Sequence, residues 1–176
     1  MGADGGYPGG GGASSSRIRA LIAGLASGDE GAALAALAAL NDLLSVANED
    51  SAAGLPLDAL ASSLVPLLAA EHSPDLMLLA ARAVTYLADA APPAAGALLR
   101  AGAAPALAER LGAVAYIDLA EQCLAALDRL AADHPRAVLS AGGMGAALGF
   151  IDFFPTGGQR AAAGLAAKMA RGLTLG

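Results

Sequence analysis

The chain repeats itself at a spacing of about 43 residues, and this repetition restricts its possible folds more than any other feature. The stretch DLMLLAARAVTYLADAAP (residues 75–92) aligns with DLAEQCLAALDRLAADHP (residues 118–135), with the aspartate, the first leucine and the last proline in common. In the same way, ALNDLL (residues 39–44) aligns with AVTYLA (residues 83–88). Repeats of about 40 to 47 residues that contain only helices are typical of armadillo and HEAT proteins.

The apolar residues of the chain have helical spacing. Leu34, Leu37, Leu40 and Leu44 recur at intervals of three and four, and no sustained two-residue alternation indicates a strand. Each copy divides into a short, a medium and a long helix, and an Ala-Gly step after the first helix favours armadillo over HEAT repeats. We therefore predict an all-α fold, an armadillo-type α-solenoid that forms a right-handed superhelix of about four three-helix repeats.

The same pattern divides the chain into a tail and one domain. Residues 1–15 are rich in glycine and serine and have no periodic apolar pattern, so we predict a disordered tail. We predict that residues 16–176 form the repeat domain, with repeats at approximately 17–50, 56–92, 93–134 and 135–174.

Some helix starts carry recognisable capping residues. Ser73 precedes Pro74, a combination that suits an N-cap followed by the first helical position. Asp118 with Glu121, and Thr156 with Gln159, have the spacing of a capping box. We expect a helix to begin at each of these three places.

Composition and charge exclude several classes of protein. Ten lysines and arginines stand against sixteen acidic residues, so the net charge is −6 and no nucleic-acid-binding surface is expected. The longest stretch without a charged residue, 137–151, is shorter than the roughly 20 residues that cross a bilayer. The first residues do not form a signal peptide. We expect a protein of the cytoplasm, the nucleus or both.

No group of residues indicates catalysis, a metal or a cofactor. Cys123, the only cysteine, lies among helical leucines with no histidine placed to activate it, so we predict a buried thiol. His72 and His134 lie next to predicted helix ends, without the further ligands that a metal site needs. We predict no catalytic residue, no metal site and no cofactor in this chain.

Three short motifs are more specific than the general armadillo spacing. These are LAEQ (residues 119–122), DFF (residues 152–154) and TGGQR (residues 156–160). Together with the repeats, they resemble the N-terminal armadillo region of KAKTUS-type HECT E3 ubiquitin ligases, which are related to the ubiquitin-fusion-degradation class. The resemblance implies a recognition arm for a protein substrate or a degradation signal. It also implies that ubiquitin and its E2 enzyme act only through a HECT domain outside these 176 residues.

The long third helix of each repeat is the expected binding element. In importin-α-type armadillo proteins, an asparagine ladder on this helix holds an extended peptide, and the equivalent positions here are Asp42, Tyr86 and Arg129. With Arg82 and Gln122 they predict a polar, partly cationic groove for an acidic or carbonyl-rich segment of a partner. The alternative is that these side chains are merely solvated.

Two other functional interpretations stay open at this point. A stand-alone armadillo adaptor or scaffold without a ligase role would show the same repeats. An independent enzyme is the weakest interpretation, because no convergent polar set is evident.

Overall fold

A computed structural model describes residues 11–69, 71–112, 115–149, 151 and 156–174. Within these ranges the chain forms eleven α-helices and one short 3₁₀ helix, Val65–Leu68, and contains no β-strand. The α-helices are α1 (Gly11–Leu25), α2 (Glu30–Ser45), α3 (Glu49–Ala52), α4 (Leu57–Leu64), α5 (Pro74–Ala90), α6 (Ala94–Arg100), α7 (Ala103–Leu111), α8 (Ile117–Asp133), α9 (Pro135–Ser140), α10 (Gly143–Gly149) and α11 (Thr156–Thr174).

Four long helices form the spine of the molecule. Helix α2 packs against α5, α5 against α8, and α8 against α11, so that each long helix contacts the equivalent helix of the next repeat. The shorter helices pack behind them in the same order, α4 against α6, α6 against α7, and α7 against α10. This one-dimensional stacking confirms the predicted all-α, armadillo-type solenoid. No helix in the described part of the chain is long and apolar enough to span a membrane.

Leucine and alanine share the core between these helices. Leu40, Leu87 and Leu127 are fully buried, each on a different long helix. Ala80 and Ala126 are fully buried as well, at positions that face neighbouring helices. Because alanine has only one side-chain carbon, the helix backbones can approach closely, but each such contact removes less apolar surface from water than a leucine contact would.

Glycine permits the closest approaches near the end of the array. A Cβ atom on Gly172 of α11 would lie 2.6 Å from Cγ of Pro135 at the start of α9. A Cβ atom on Gly143 would lie 2.7 Å from Cγ1 of Val138. Both distances are too short for non-bonded carbon atoms, so α9, α10 and α11 can pack as they do only because these two residues have no side chain.

The Ala-Gly steps are turns that need glycine. Gly102 and Gly142 have φ angles of +92° and +86°, which side chains disfavour, and each directly precedes the second helix of its repeat. Ser73 caps α5 as predicted, and its hydroxyl accepts a hydrogen bond from the Leu76 backbone N–H. The predicted capping box at Asp118 is wrong, because α8 begins at Ile117 and its N-cap is Tyr116.

The N-terminal helix begins within the segment predicted as tail. Helix α1 starts at Gly11, so residues 11–15 are helical, whereas the sequence predicted a disordered tail there. The apolar side chains Ile18, Leu21 and Leu25 are buried, and α1 packs on α2 and α4. Once this packed part has formed, extending the helix toward the N-terminus adds hydrogen bonds without a new nucleation step.

Several predictions fall on other parts of the chain. Residues 1–10, the DFF motif at 152–154 and the cap region before α11 lie outside the described residues. The repeat boundaries stay a prediction, since helix positions alone do not fix where one unit ends.

Candidate protein-binding groove

The five predicted groove residues lie on the solvent-facing side of three adjacent long helices. Asp42 is exposed on α2, Arg82 and Tyr86 are half-buried one turn apart on α5, and Gln122 and Arg129 are half-buried on α8. We call this surface the long-helix face. It forms because the opposite side of each helix carries the buried leucines and alanines, which leaves the polar positions toward solvent.

The Arg129 side chain is already hydrogen-bonded to other residues of this chain. Its Nε donates to Oδ1 of Asp89 on α5 at 2.6 Å, and its Nη1 donates to Oδ2 of Asp133 at 3.0 Å. Its Nη2 donates to the backbone oxygen of Ala88 at 3.1 Å. Burial lowers the pKa of Arg129, but the hydrogen bonds to Asp133 and Asp89 outweigh burial, and the net shift is upward. Arg129 therefore joins α8 to α5, and three of its five N–H donors are already used.

A second charged contact repeats this arrangement one unit further along. Lys168 of α11 donates to Oδ2 of Asp128 on α8 at 2.7 Å, and both side chains are about one-third exposed. At the other end of the array, Nδ2 of the buried Asn41 donates to the backbone oxygen of Leu79 at 3.2 Å. Polar residues at the edge of the long-helix face thus connect α2 to α5, α5 to α8 and α8 to α11.

These internal contacts leave the long-helix face less cationic than predicted. Of its two predicted cations, Arg129 is neutralised by Asp89 and Asp133, whereas Arg82 makes no ion pair within the described residues. Asp42 likewise has no ion pair in the described part of the chain. Arg82 is therefore the predicted cation that is free to meet a partner.

Tyr86 and Gln122 supply the neutral part of the surface. The Tyr86 ring packs against the core while the residue keeps part of its surface in water. Gln122 is half-buried, and its side-chain amide makes no hydrogen bond to another described residue. A tyrosine hydroxyl and a free amide can both donate and accept hydrogen bonds, which suits contact with a peptide backbone.

Cys123 is placed as predicted, inside the core. It is fully buried, and burial raises the pKa of its thiol to about 12. The thiol is therefore neither accessible nor ionised near neutral pH. Among the described residues, no three histidine, cysteine or acidic side chains lie close enough together to hold a metal ion.

The sequence analysis did not predict the ion-pair partners of Arg129 or a cleft between α5 and α8. Asp89 and Asp133 were not recognised as its counter-ions, although their spacing of about one repeat and one helical turn from Arg129 is a usable signal. A cleft of about 340 Å³ also opens between the first turns of α5 and α8, lined mainly by Asp75, Leu78 and Tyr116 together with Ile117 and Asp118.

A family model described as "E3 ubiquitin-protein ligase TRIP12-like, TPR repeats" matches residues 10–140. The chain belongs to this TRIP12-like family. The description mentions TPR repeats, which are helix pairs of about 34 residues. In this chain, α6, α7 and α8 form a set of two short helices and one long helix, and α9, α10 and α11 form a second such set.

Curated relatives of the TRIP12-like chain are E3 ubiquitin-protein ligases. It is 44% identical to UPL3 of Arabidopsis thaliana over 158 residues, which cover 89% of this chain and 8% of UPL3. It is 36% identical to TRIP12 of Danio rerio over 165 residues, which cover 93% of this chain and 8% of TRIP12. The chain thus spans less than a tenth of the length of these relatives. This agrees with the family resemblance of its motifs.

Solved structures confirm the type of repeat. A designed armadillo repeat protein in complex with the peptide (KR)4 matches with a TM-score of 0.76 at 21% identity, covering 87% of this chain and 64% of the designed protein. A computationally designed armadillo repeat protein for modular peptide recognition matches with the same TM-score at 23% identity and the same coverage. At these identities the similarity shows the fold alone.

Proposed function

We propose that this chain is the partner-recognition arm of a HECT-type E3 ubiquitin ligase and acts in the cytoplasm, the nucleus or both. The observation that carries the proposal is the 44% identity to UPL3 over 89% of this chain, a match that spans only 8% of that ligase. A segment so small, built as a solenoid, suits a binding role within a larger enzyme. Solenoids offer extended concave surfaces for this purpose.

The chemistry of the chain favours binding over transfer of ubiquitin. A cysteine that accepts ubiquitin must be accessible and at least partly ionised. Cys123, the only cysteine, is buried with its pKa raised to about 12. In the proposed mechanism, the arm holds the target while a HECT cysteine elsewhere in the ligase passes ubiquitin to a target lysine. Holding the target raises the effective concentration of that lysine at the thioester.

The long-helix face is the proposed contact surface. Arg82 would donate to carbonyl or carboxylate oxygens of an extended segment, and Gln122 and Tyr86 would bond its backbone. Asp42 would contact the same segment from the neighbouring helix. Arg129 would contribute mainly by fixing α8 against α5. A designed protein of the same fold is in complex with the peptide (KR)4, which supports peptide binding as a general mode for this architecture.

A chimera tests this role in a complete ligase. Residues 17–174 would replace the matching region of Arabidopsis UPL3, and the chimera would be expressed in plants lacking UPL3. We expect it to restore degradation of those proteins that accumulate without UPL3. Degradation would be measured by quantitative proteomics after translation is blocked. A chimera with Arg82→Glu and Tyr86→Ala should fail to degrade them while still forming the ubiquitin thioester.

The control variant is Arg19→Glu, which changes an exposed arginine on α1 by the same charge. It should degrade the same proteins as the unmodified chimera. The proposal is wrong if a ligase that lacks the whole segment degrades them equally well. The choice of surface is wrong if the Arg82→Glu, Tyr86→Ala chimera retains full activity.

A further inference from the structure

The cleft between α5 and α8 is a surface that the long-helix face does not include. It lies at the first turns of the two helices and has a volume of about 340 Å³. This volume is at the lower end of the range for ligand pockets, so the cleft can take one or two side chains of a partner. Its walls are Leu78 and Asp75 from α5, and Tyr116, Ile117 and Asp118 from the start of α8.

The walls include exposed apolar side chains. Tyr116 is 47% exposed and Ile117 is 49% exposed, and both are among the few large apolar side chains exposed in the described part of the chain. Leu78, half-buried on α5, extends the same surface. Contiguous exposed apolar side chains bordered by polar groups commonly mark a site of protein contact.

Tyr116 also stands directly before α8 without capping it. The long helices α2 and α5 are preceded by the N-cap residues Asp29 and Ser73, whose side chains accept hydrogen bonds from the first turn. Tyr116 occupies the same position before α8 and makes no such bond. A tyrosine at an N-cap lowers helix stability relative to serine or aspartate. Several other helices also lack a side-chain cap, so what distinguishes Tyr116 is its exposed ring at the cleft.

Two carboxylates border the apolar wall without a counter-ion. Asp75 and Asp118 are exposed, and neither side chain makes an ion pair or hydrogen bond with another described residue. The N-terminus of each helix carries only about half a positive charge, which offsets part of each carboxylate's negative charge. Arg82, the next cation along α5, lies two turns from Asp75, about 10 Å along the helix axis. The cleft is therefore negatively charged.

We propose that this cleft binds a segment of a protein partner in which lysine or arginine flanks an apolar residue. The proposal rests on the recognition role proposed above and adds a second contact with stated chemistry. The aliphatic stem of the basic side chain would lie on Leu78 and Ile117, and its charged end would lie between Asp75 and Asp118. The Tyr116 ring would contact the cation through its face. The same carboxylates would repel an acidic segment.

Peptide binding to the purified chain tests the proposal directly. The probes are fluorescein-labelled peptides GSRLRGS and GSELEGS, and binding is followed by fluorescence anisotropy. We expect the arginine peptide to bind, its affinity to fall as salt is added, and the glutamate peptide not to bind. The double variant Asp75→Asn, Asp118→Asn should bind the arginine peptide about tenfold or more weakly, since it loses two charge-assisted contacts.

Two variants separate binding from folding. Tyr116→Ser introduces a capping hydroxyl, so it should weaken peptide binding while the unfolding temperature stays equal or rises. Asp50→Asn removes an exposed first-turn carboxylate of α3 and should leave binding unchanged. Failure of the arginine peptide to bind, equal binding of the glutamate peptide, or full binding by the double variant would each overturn the proposal.

The outcome is distinguishable from failure of the proposed function. If the UPL3 chimera needs this arm for degradation but Asp75→Asn with Asp118→Asn binds the arginine peptide as tightly as the unmodified chain, the cleft proposal alone is wrong. If the peptide binds as expected but degradation does not depend on the arm, the recognition role is wrong and the cleft remains a binding site.

Discussion

On the scale of single residues, two glycines of the same helix should respond oppositely to one substitution. Gly172→Ala would place a Cβ atom 2.6 Å from Pro135, whereas an alanine at the exposed Gly164 meets no atom within 4 Å. We expect Gly172→Ala to lower the free energy of unfolding by about 1 to 3 kcal/mol through overpacking. Gly164→Ala should raise it by about 0.5 to 1 kcal/mol through helix propensity. Urea denaturation followed by circular dichroism measures both, and a stabilised Gly172→Ala variant would contradict the packing described for α9 and α11.

The buried thiol of Cys123 predicts a pH dependence of stability. Its pKa is about 12 in the folded protein, against about 8.5 for an exposed cysteine. The unfolded chain therefore loses this proton first, so stability is complete below the unfolded pKa and is lost as pH rises toward the folded value. Between about pH 9 and pH 12, this residue alone should lower the free energy of unfolding by about 1.4 kcal/mol per pH unit.

The comparison with Cys123→Ala isolates this contribution, because the two proteins differ at this residue alone. We expect the difference in unfolding free energy between the two proteins to be constant up to about pH 8. Above that pH, the wild type should lose stability relative to Cys123→Ala. A difference that stays constant to about pH 11 would show that the thiol is not held neutral by burial.

On the scale of elements, the contact between α5 and α8 depends on one side chain. Arg129 is 25% exposed and bonds Asp89, Asp133 and a backbone oxygen. We expect Arg129→Met to lower the free energy of unfolding by about 1 to 2 kcal/mol, since it removes partly buried charged hydrogen bonds. A double-mutant cycle with Asp89→Asn should show coupling that weakens as salt is added.

The matched control is the pair between Arg100 and Asp58. It also joins helices of neighbouring repeats, at 2.9 Å, but its side chains are 68% and 79% exposed. Water and salt screen such a pair, so its coupling should be about 0.5 kcal/mol or less. Equal coupling in the two pairs would mean that burial does not strengthen the Arg129 contact.

The helices themselves could be predicted from sequence, whereas their side-chain pairing could not. The spacing of Leu34, Leu37 and Leu40 and the Ala-Gly steps locate helices because each is a local pattern. The ion pair of Arg129 with Asp89 joins residues of two repeats. Their spacing of about one repeat is a signal for it, but the pairing itself is fixed by the register between α5 and α8. Asp118 with Glu121 offered a capping-box signal, but α8 begins at Ile117 with Tyr116 as its N-cap.

On the scale of the whole molecule, the repeat length was the strongest guide. A spacing of about 43 residues predicted an armadillo-type stack of helices, and the structure and its designed armadillo neighbours confirm this fold. The groove residues were harder to predict, because the fold uses some of the same polar positions for its own stability. Arg82 and Arg129 are both arginines on neighbouring long helices, yet only Arg129 is engaged in ion pairs within the described residues.

The charged contacts between successive long helices have a mechanical consequence. Asp89 with Arg129, and Asp128 with Lys168, tie neighbouring units together along one side of the stack. Contacts along one side of a stack of helices resist separation of the helices on that side, so the stack should open more easily on the opposite side. Because salt screens these partly exposed contacts, the stack should resist opening less as ionic strength rises. Small-angle X-ray scattering would register this as a larger radius of gyration with unchanged helix content.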